Sequence, residues 1–418
     1  MNPEHLVAGL DIGSAKTTAI IAEVTGDLPK HPSIKLLGVG QARTTGMRRG
    51  IVSDIEETTR SIRQALQEAE RMAGAQVQDL YAGIAGEHVQ AMTSKGIVAV
   101  SGDEIMKQDV DRANEVARAQ AIPPDRELLH AIPQEYTVDR NTGIRDPIGM
   151  IGTRLETEMY LVTIGSSPAL NLRKSVERAG YHVRELVLEP LASALAVLTE
   201  DEKELGVALV EMGAGTTDLA LFHEGKIRHL GTVAYGGNNV TNDIVHGLGV
   251  TQADAERLKE RFGCAYEPLV DPSDVIQLPS TVAQGERHIP RELLAHIIHQ
   301  RMDEIFDLVQ RDIATAGYAG KLSAGVVLTG GAAAMQGIAE LASDVFGTGV
   351  RVGLPAENIG GLSDSVEAPR FATAVGLAQY GAHRIALGAA AAVARRLSSG
   401  AGVGRFAEKV KFWLQDFF

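Results

Sequence analysis

The chain has 418 residues, a net charge of -13, an apolar fraction of 44% and only 4% aromatic residues. That length exceeds one compact core, so two or more domains are expected, built from aliphatic side chains. The negative balance argues against nonspecific nucleic-acid binding, and the single cysteine, Cys264, excludes an intramolecular disulfide and a cysteine-rich metal site.

The first strand begins within a few residues of Met1, with no charged-then-apolar leader before it. No apolar run reaches the ~20 residues of a spanning helix, so a protein neither secreted nor membrane-spanning is expected. "LVAGLDIG", "TTAIIAEV" and "IKLLGVGQART" predict strands and turns over 6–52. A helix follows over 53–74. Ser53 and Glu56 are its capping pair, Ile55, Ile62, Leu66 and Ala69 its apolar stripe, and Gly74 its end. "DLYAGIAG" is a buried strand. Residues 84–162 then alternate strand, helix, strand, strand, enough for a small α+β insertion. A helix with Ser167 as cap, Pro168 in the first turn and Gly180 at its end comes next, and "EPLASALAVLTEDE" is a helix bridging to the second half.

Residues 207–235 repeat the opening pattern of strand, glycine turn, strand. A helix boxed by Thr251 and Asp254 follows. A long helix begins near Pro290, with apolar residues at 293, 294, 297, 298, 305 and 308. "AGVVLTGGAAAMQGIAELASDVFG" is strand, glycine turn, helix, and "RFATAVGLAQYGAH" a late helix. The small residues of 385–402 predict a flexible linker.

Three glycine turns carry the chemistry. Asp11, Gly13, Ser14, Lys16 and Thr17 form the first; Gly213, Gly215, Thr216, Thr217 and Asp218 form the second. Glycine lets backbone N–H groups approach phosphate oxygens, the hydroxyls add donors, and Lys16 adds a charge for the β- and γ-phosphates. Asp11 and Asp218 suit Mg²⁺ held through its waters. One turn from each half thus clamps a nucleoside triphosphate and its magnesium. At the third turn, Gly330 and Gly331 leave room for a flat adenine against the backbone.

The last residues, 403–418, differ again. Phe406, Val410, Trp413, Leu414 and Phe417 fall on one helical face, flanked by Lys409 and Lys411. A short amphipathic helix with Trp, Phe and edge lysines suits the bilayer interface, binding reversibly unless self-assembly multiplies it. Elsewhere, Cys264 is read as inert, and His296 and His299 on the long helix lack the acids or histidines that a metal site needs.

The three turns in this order resemble the actin/Hsp70/sugar-kinase superfamily. "LLHAIPQEYTVD", "TEDEKELGVALVEMGAGTTDLAL", "GVVLTGGAAAMQGI" and "ATAVGLAQYG" resemble the bacterial FtsA family from about residue 5 to 382, plus the tail. The resemblance implies an α/β, actin-like two-domain fold with duplicated sheet-helix cores, a small α+β insertion and a C-terminal amphipathic helix. It implies subdomain 1A over 1–83, 163–190 and 366–384, the insertion 1C over 84–162, 2A over 191–240 and 321–365, and 2B over 241–320. It places Glu256 and Lys259 beside the adenosine, and Arg291, Arg301 and Glu304 where 2B binds the C-terminal tail of FtsZ. It further implies ATP and Mg²⁺ as ligands, self-assembly into filaments, contacts of 1C with other division proteins, and attachment to an anionic membrane at the cytoplasmic face of the inner membrane, at the division site.

Two departures weaken hydrolysis. First, the second turn begins with Glu211 where the superfamily usually carries Asp, and its middle residue is Ala214; second, Glu189 matches a magnesium-water position that is not constant in FtsA proteins. A longer side chain changes how water is aligned on the γ-phosphate, so slow or negligible turnover is expected. The competing readings are a pilus-assembly protein of the PilM type, which shares the 1C-like insertion, and a small-molecule kinase of the superfamily.

Overall fold

Alternating small and β-branched residues set the first layer. The computed structural model describes residues 5–27, 31–278, 287–355 and 359–398. β1 (Leu6–Ile12), β2 (Lys16–Asp27) and β3 (His31–Arg43) form an antiparallel meander in which Ile12 faces Thr17 across the first tip. A two-residue hairpin joins β4 (Met47–Arg48) to β5 (Ile51–Val52), and α1 (Ile55–Ala73) follows. Asp54, not Ser53, caps this helix, accepting from the N–H groups of Glu56 at 2.9 Å and Glu57 at 3.0 Å. The Ser53 hydroxyl instead donates to the Gly46 carbonyl. A carboxylate at the cap also complements the helix dipole, which favours Asp over its serine neighbour. Ile62, Leu66 and Ala69 are buried, and Gly74 ends the helix at φ 63° as predicted. β6 (Asp79–Ile84) then lies parallel to β1.

The insertion has the predicted order. β7 (Gln90–Ala99), α2 (Lys107–Arg118), β8 (Arg126–Val138), β9 (Asn141–Ile144) and β10 (Arg154–Gly165) give a sheet of order β7-β10-β8-β9, all pairs antiparallel. Within the insertion, the short β9 is the one strand that the sequence pattern did not announce. Ile105, Val110, Ala113, Tyr136, Val138 and Leu155 form a core of its own. α3 (Ser166–Ala179) begins at Gly165, so Ser167 lies inside the first turn rather than capping it. β11 (His182–Leu188) completes the first main sheet beside β6.

α4 (Glu189–Val197) and α5 (Glu200–Leu205) lead to the second half. β12 (Val207–Met212), β13 (Thr217–His223) and β14 (Lys226–Val233) are a second antiparallel meander. α6 (Gly237–Leu248) and α7 (Gln252–Phe262) follow, the latter capped by Thr251 as predicted. β15 (Val275–Leu278) and β16 (Arg287–Pro290) pair ahead of α8 (Arg291–Thr315). The buried stripe of α8 runs through Leu294, Ile298, Met302, Ile305, Phe306, Val309 and Ile313, and Leu293 is left exposed. β17 (Val326–Thr329), α9 (Ile338–Phe346) and β18 (Val350–Val352) complete the half.

The two main sheets share one plan. The first runs β11-β6-β1-β2-β3 and the second β18-β17-β12-β13-β14, with the three meander strands on one side antiparallel and the other two added parallel beside the first of them. β19 (Ile359–Gly361) then returns to the first sheet, parallel to β3.

α10 (Ala372–Ser398) packs between the halves, against α4 and β1. A Cβ on Gly376 would come within 1.7 Å of the Ala192 carbonyl oxygen, so only glycine lets α10 lie on α4. The helix also overturns an expectation: residues 385–398, assigned above to a flexible linker, continue α10. The run is rich in alanine, the strongest helix former, and Gly388 alone does not break it. Residues 399–402 and the tail, with Phe406, Lys409, Val410, Lys411, Trp413, Leu414 and Phe417, lie outside the described residues.

Candidate functional site

The shared plan brings the two β-hairpin tips together. A Cβ on Gly215 would sit 2.7 Å from the Ser14 hydroxyl oxygen, so the tip of β12–β13 touches the tip of β1–β2. Gly213 closes the second tip through its N–H to the Thr216 carbonyl at 2.9 Å. Behind it, the N–H groups of Gly237 and Asn238 donate to the carbonyls of Gly213 at 3.0 Å and Ala214 at 2.8 Å, which docks the start of α6 on the turn. Lys16 is exposed at the mouth.

Four carboxylates form the floor. Glu211 and Asp218 are buried, whereas Asp11 and Glu189 keep a partial opening to solvent. Glu189 heads α4 and lies over β6, where a Cβ on Gly83 would meet its Cγ at 2.8 Å. Asp218 accepts from the Thr216 hydroxyl at 2.9 Å and the Thr232 hydroxyl at 2.7 Å. Glu211 accepts from Ser193 at 2.9 Å and from Thr373. Thus α4, α10 and both hairpins each contribute to one acidic floor.

Burial drives all four upward in pKa. It pushes Asp11 up to about 7, Glu211 to about 8 and Asp218 to about 6. The hydroxyl donors on Glu211 and Asp218 oppose that rise. Glu189 stands well above the usual carboxylate range through burial first and then the charges of Asp11, Glu211 and Asp218. Anionic groups held together in this way call for a cation. Among the described residues, no three His, Cys, Asp or Glu are grouped tightly enough to hold a metal directly. The donor set therefore fits a hydrated Mg²⁺, whose waters reach several carboxylates, better than a bare ion.

Not every predicted residue faces the cleft. The Thr17 side chain is fully buried and its hydroxyl pairs with Thr44 at 2.7 Å and Ser61 at 3.1 Å. Thr217 is equally buried and donates to the Tyr235 carbonyl at 3.0 Å. Both hydroxyls tie the hairpins to the body instead of adding phosphate donors, because the pleat turns alternate residues inward. Glu256 and Lys259 do lie beside the second turn. The Lys259 ammonium donates to the Gly237 carbonyl at 3.0 Å, to Thr241 at 2.8 Å and to Glu256 at 2.8 Å. At the third turn the glycines divide the work. Gly330 has φ 87° and would drive a Cβ within 2.6 Å of the Met212 carbonyl oxygen, so backbone packing requires it. Gly331 is exposed, and the nearest atom to its missing Cβ is 4.0 Å away on Arg370, which leaves open space for a flat ligand.

The proposed partner residues also separate. Arg301 and Glu304 line one groove along α8 with Asp243, Ile297 and Leu308, where Arg301 pairs with Asp243 and Glu304. Arg291 is held elsewhere, donating to the Phe262 carbonyl, Asp274 and Gln336. Glu189 and Ser193 on α4 and Thr373 on α10 emerge as site residues from two distant stretches. Only Glu189 carried a sequence signal, through its place ahead of Pro190.

Two meanders of one plan, touching at their tips above an acidic cleft, define an actin-like protein. The fold is shared with the PilM-PilN type IV pilus biogenesis complex, at a TM-score of 0.63 and 17% identity over 90% of this chain and 98% of that one. It is shared with MreB5 of Spiroplasma citri bound to ADP, at 0.52 and 15% over 90% and 95%, and with the MamK double helical filament, at 0.51 and 12% over 90% and 98%. Residues 208–376 match the family described as Cell division protein FtsA, and residues 86–163 match the SHS2 domain inserted in FtsA. Cell division protein FtsA of Pseudomonas aeruginosa is 40% identical over 99% of this chain and 98% of its own length; that of Escherichia coli K12 is 37% identical over the same shares. The chain belongs to the FtsA family of cell division proteins.

Proposed function

We propose that this protein binds MgATP in the cleft, polymerises through its actin-like body, and tethers FtsZ filaments to the inner membrane at the division site. The observation that carries the nucleotide reading is the meeting of Ser14 and Gly215 over a floor of four carboxylates. Asp11 and Asp218 take magnesium through its waters, Ser14, Lys16 and the backbone of Gly13, Gly213 and Gly215 take the phosphates, and Gly331 with Glu256 and Lys259 takes the adenosine. The magnesium supplies charge neutralisation between phosphates and floor. The α8 groove at Arg301 and Glu304 is the seat for the FtsZ tail, with Arg291 holding the helix start. The insertion recruits further division proteins. Residues 403–418 attach to an anionic lipid surface, on the cytoplasmic face of the membrane.

Turnover is slow. Glu211 is already occupied by the Ser193 and Thr373 hydroxyls, so it does not serve as a base for water. A pilus-assembly role has only a fold likeness at 17% identity in its favour.

Co-sedimentation with anionic vesicles tests the assembly. The full-length protein is expected to pellet, more so with MgATP, and a chain ending at Gly402 to stay in the supernatant. Equal pelleting of the two, or of neither, would refute the tail as the membrane contact. A steady-state ATPase rate above about 1 per second, the low end for kinases, would refute slow turnover.

A further inference from the structure

A third hairpin tip reaches the place where the two phosphate turns meet. A Cβ on Gly215 would lie 3.1 Å from the Arg49 backbone nitrogen and 3.2 Å from its Cα, beside the Ser14 hydroxyl. Arg49 and Gly50 are the two loop residues between β4 and β5, since Arg48 pairs with Ile51. Both have positive φ, 49° for Arg49 and 76° for Gly50. A two-residue hairpin loop of this kind favours Asn followed by Gly. An arginine in the first position is conformationally disfavoured, and such outliers cluster at ligand sites.

The loop is also fixed from both sides. The Thr44 N–H donates to the Ala15 carbonyl at 2.9 Å, which ties it to the first tip. Ser53 and Asp54 donate from their N–H groups to Gly46 at 2.8 and 3.1 Å, which ties it to the cap of α1. The Arg49 side chain is exposed and has no hydrogen-bond or ion-pair partner among the described residues. In the same cleft, the acidic floor of Asp11, Glu189, Glu211 and Asp218 repels a polyphosphate. A cation at the mouth, beyond Lys16, offsets that repulsion.

We infer that the Arg48–Arg49–Gly50 turn is a third arm of the phosphate site, and that the Arg49 guanidinium binds the terminal phosphate of a nucleoside triphosphate. A guanidinium presents paired donors that match phosphate oxygens. The contact exists only when the terminal phosphate is present, so Arg49 is the residue that separates triphosphate from diphosphate. The inference rests on the nucleotide reading proposed above.

The test uses the full chain with Mg²⁺, displacing a fluorescent ADP analogue with ADP or ATP. Arg49→Asn removes the guanidinium while suiting the left-handed backbone, so it folds at least as well as the parent. It is expected to weaken ATP by about 10- to 100-fold, the worth of a hydrogen bond to a charged group, and to leave ADP within about twofold. Arg49→Lys restores part of the loss, because it returns the charge without the paired donors. Equal losses for ATP and ADP, or no loss for either, overturn the assignment of Arg49 while leaving the nucleotide site intact. Failure of the unmodified protein to bind either nucleotide overturns the site itself, and the assignment with it.

Discussion

Asp218 shows what the acidic floor costs the empty protein. Its carboxyl is raised from 3.8 to about 6 by burial, against the pull of the Thr232 and Thr216 hydroxyls. A group with a raised folded pKa contributes its full stability below its unfolded pKa, and that contribution is lost as pH rises through the folded value. At ~1.4 kcal/mol per unit the total loss for Asp218 is about 3 kcal/mol, roughly half of it between pH 5 and 8. Buried His130 and His383, each lowered to about 4 by burial, act in the opposite sense up to their unfolded pKa near 6.5. A difference between two proteins cancels them. Asp218→Asn is therefore expected to gain on the parent by about 1.4 kcal/mol from pH 5 to pH 8 in urea unfolding with a metal chelator present. A gap that stays constant with pH would show that Asp218 is not held in a desolvated site.

Helix packing gives a sharper contrast. On α10, a Cβ at Gly376 collides with the backbone of Ala192, whereas a Cβ at Gly388 meets nothing within 4 Å. Backbone cannot step aside as a side chain can. Gly376→Ala is expected to cost about 3 kcal/mol, the upper range for overpacking. Gly388→Ala is expected to stabilise by about 0.5–1 kcal/mol, the ordinary gain of alanine in a helix. Denaturant midpoints decide between them, and equal shifts for both would mean that α10 does not lie on α4. The same helix marks where sequence patterns stop being legible. Strands, α1 and the insertion were readable because apolar period and glycine ends are local signals. The alanine run of α10 was not, since small residues are equally consistent with a linker until a packing partner is known. The three turns of the cleft were readable for their glycines, but the inward turn of Thr17 and Thr217 follows from strand register. The joining of Glu189, Ser193 and Thr373 to Glu211 and Asp218 follows from tertiary packing, which no single stretch encodes.

The whole molecule is two copies of one sheet plan joined by α4 and closed by the return of β19 and α10 to the first half. Both copies send acidic residues to the same cleft, so the halves repel where their tips must touch. Asp11 and Glu189 come from the first half and its exit, Glu211 and Asp218 from the second. A nucleotide alone adds further negative charge to that floor; a nucleotide with Mg²⁺ cancels much of it and spans both tips. Stabilisation should thus depend on the metal more than on the base. At 100 times its dissociation constant, MgATP is expected to stabilise the protein by about 2.7 kcal/mol, as mass action requires for a ligand of the folded state. The same ATP concentration with excess EDTA should give little, and Mg²⁺ alone should relieve only the repulsion within the floor. Thermal unfolding under the three conditions separates these terms. ATP in EDTA protecting as well as MgATP would mean that the four carboxylates do not face the phosphates, and that the cation they call for serves the fold rather than the ligand.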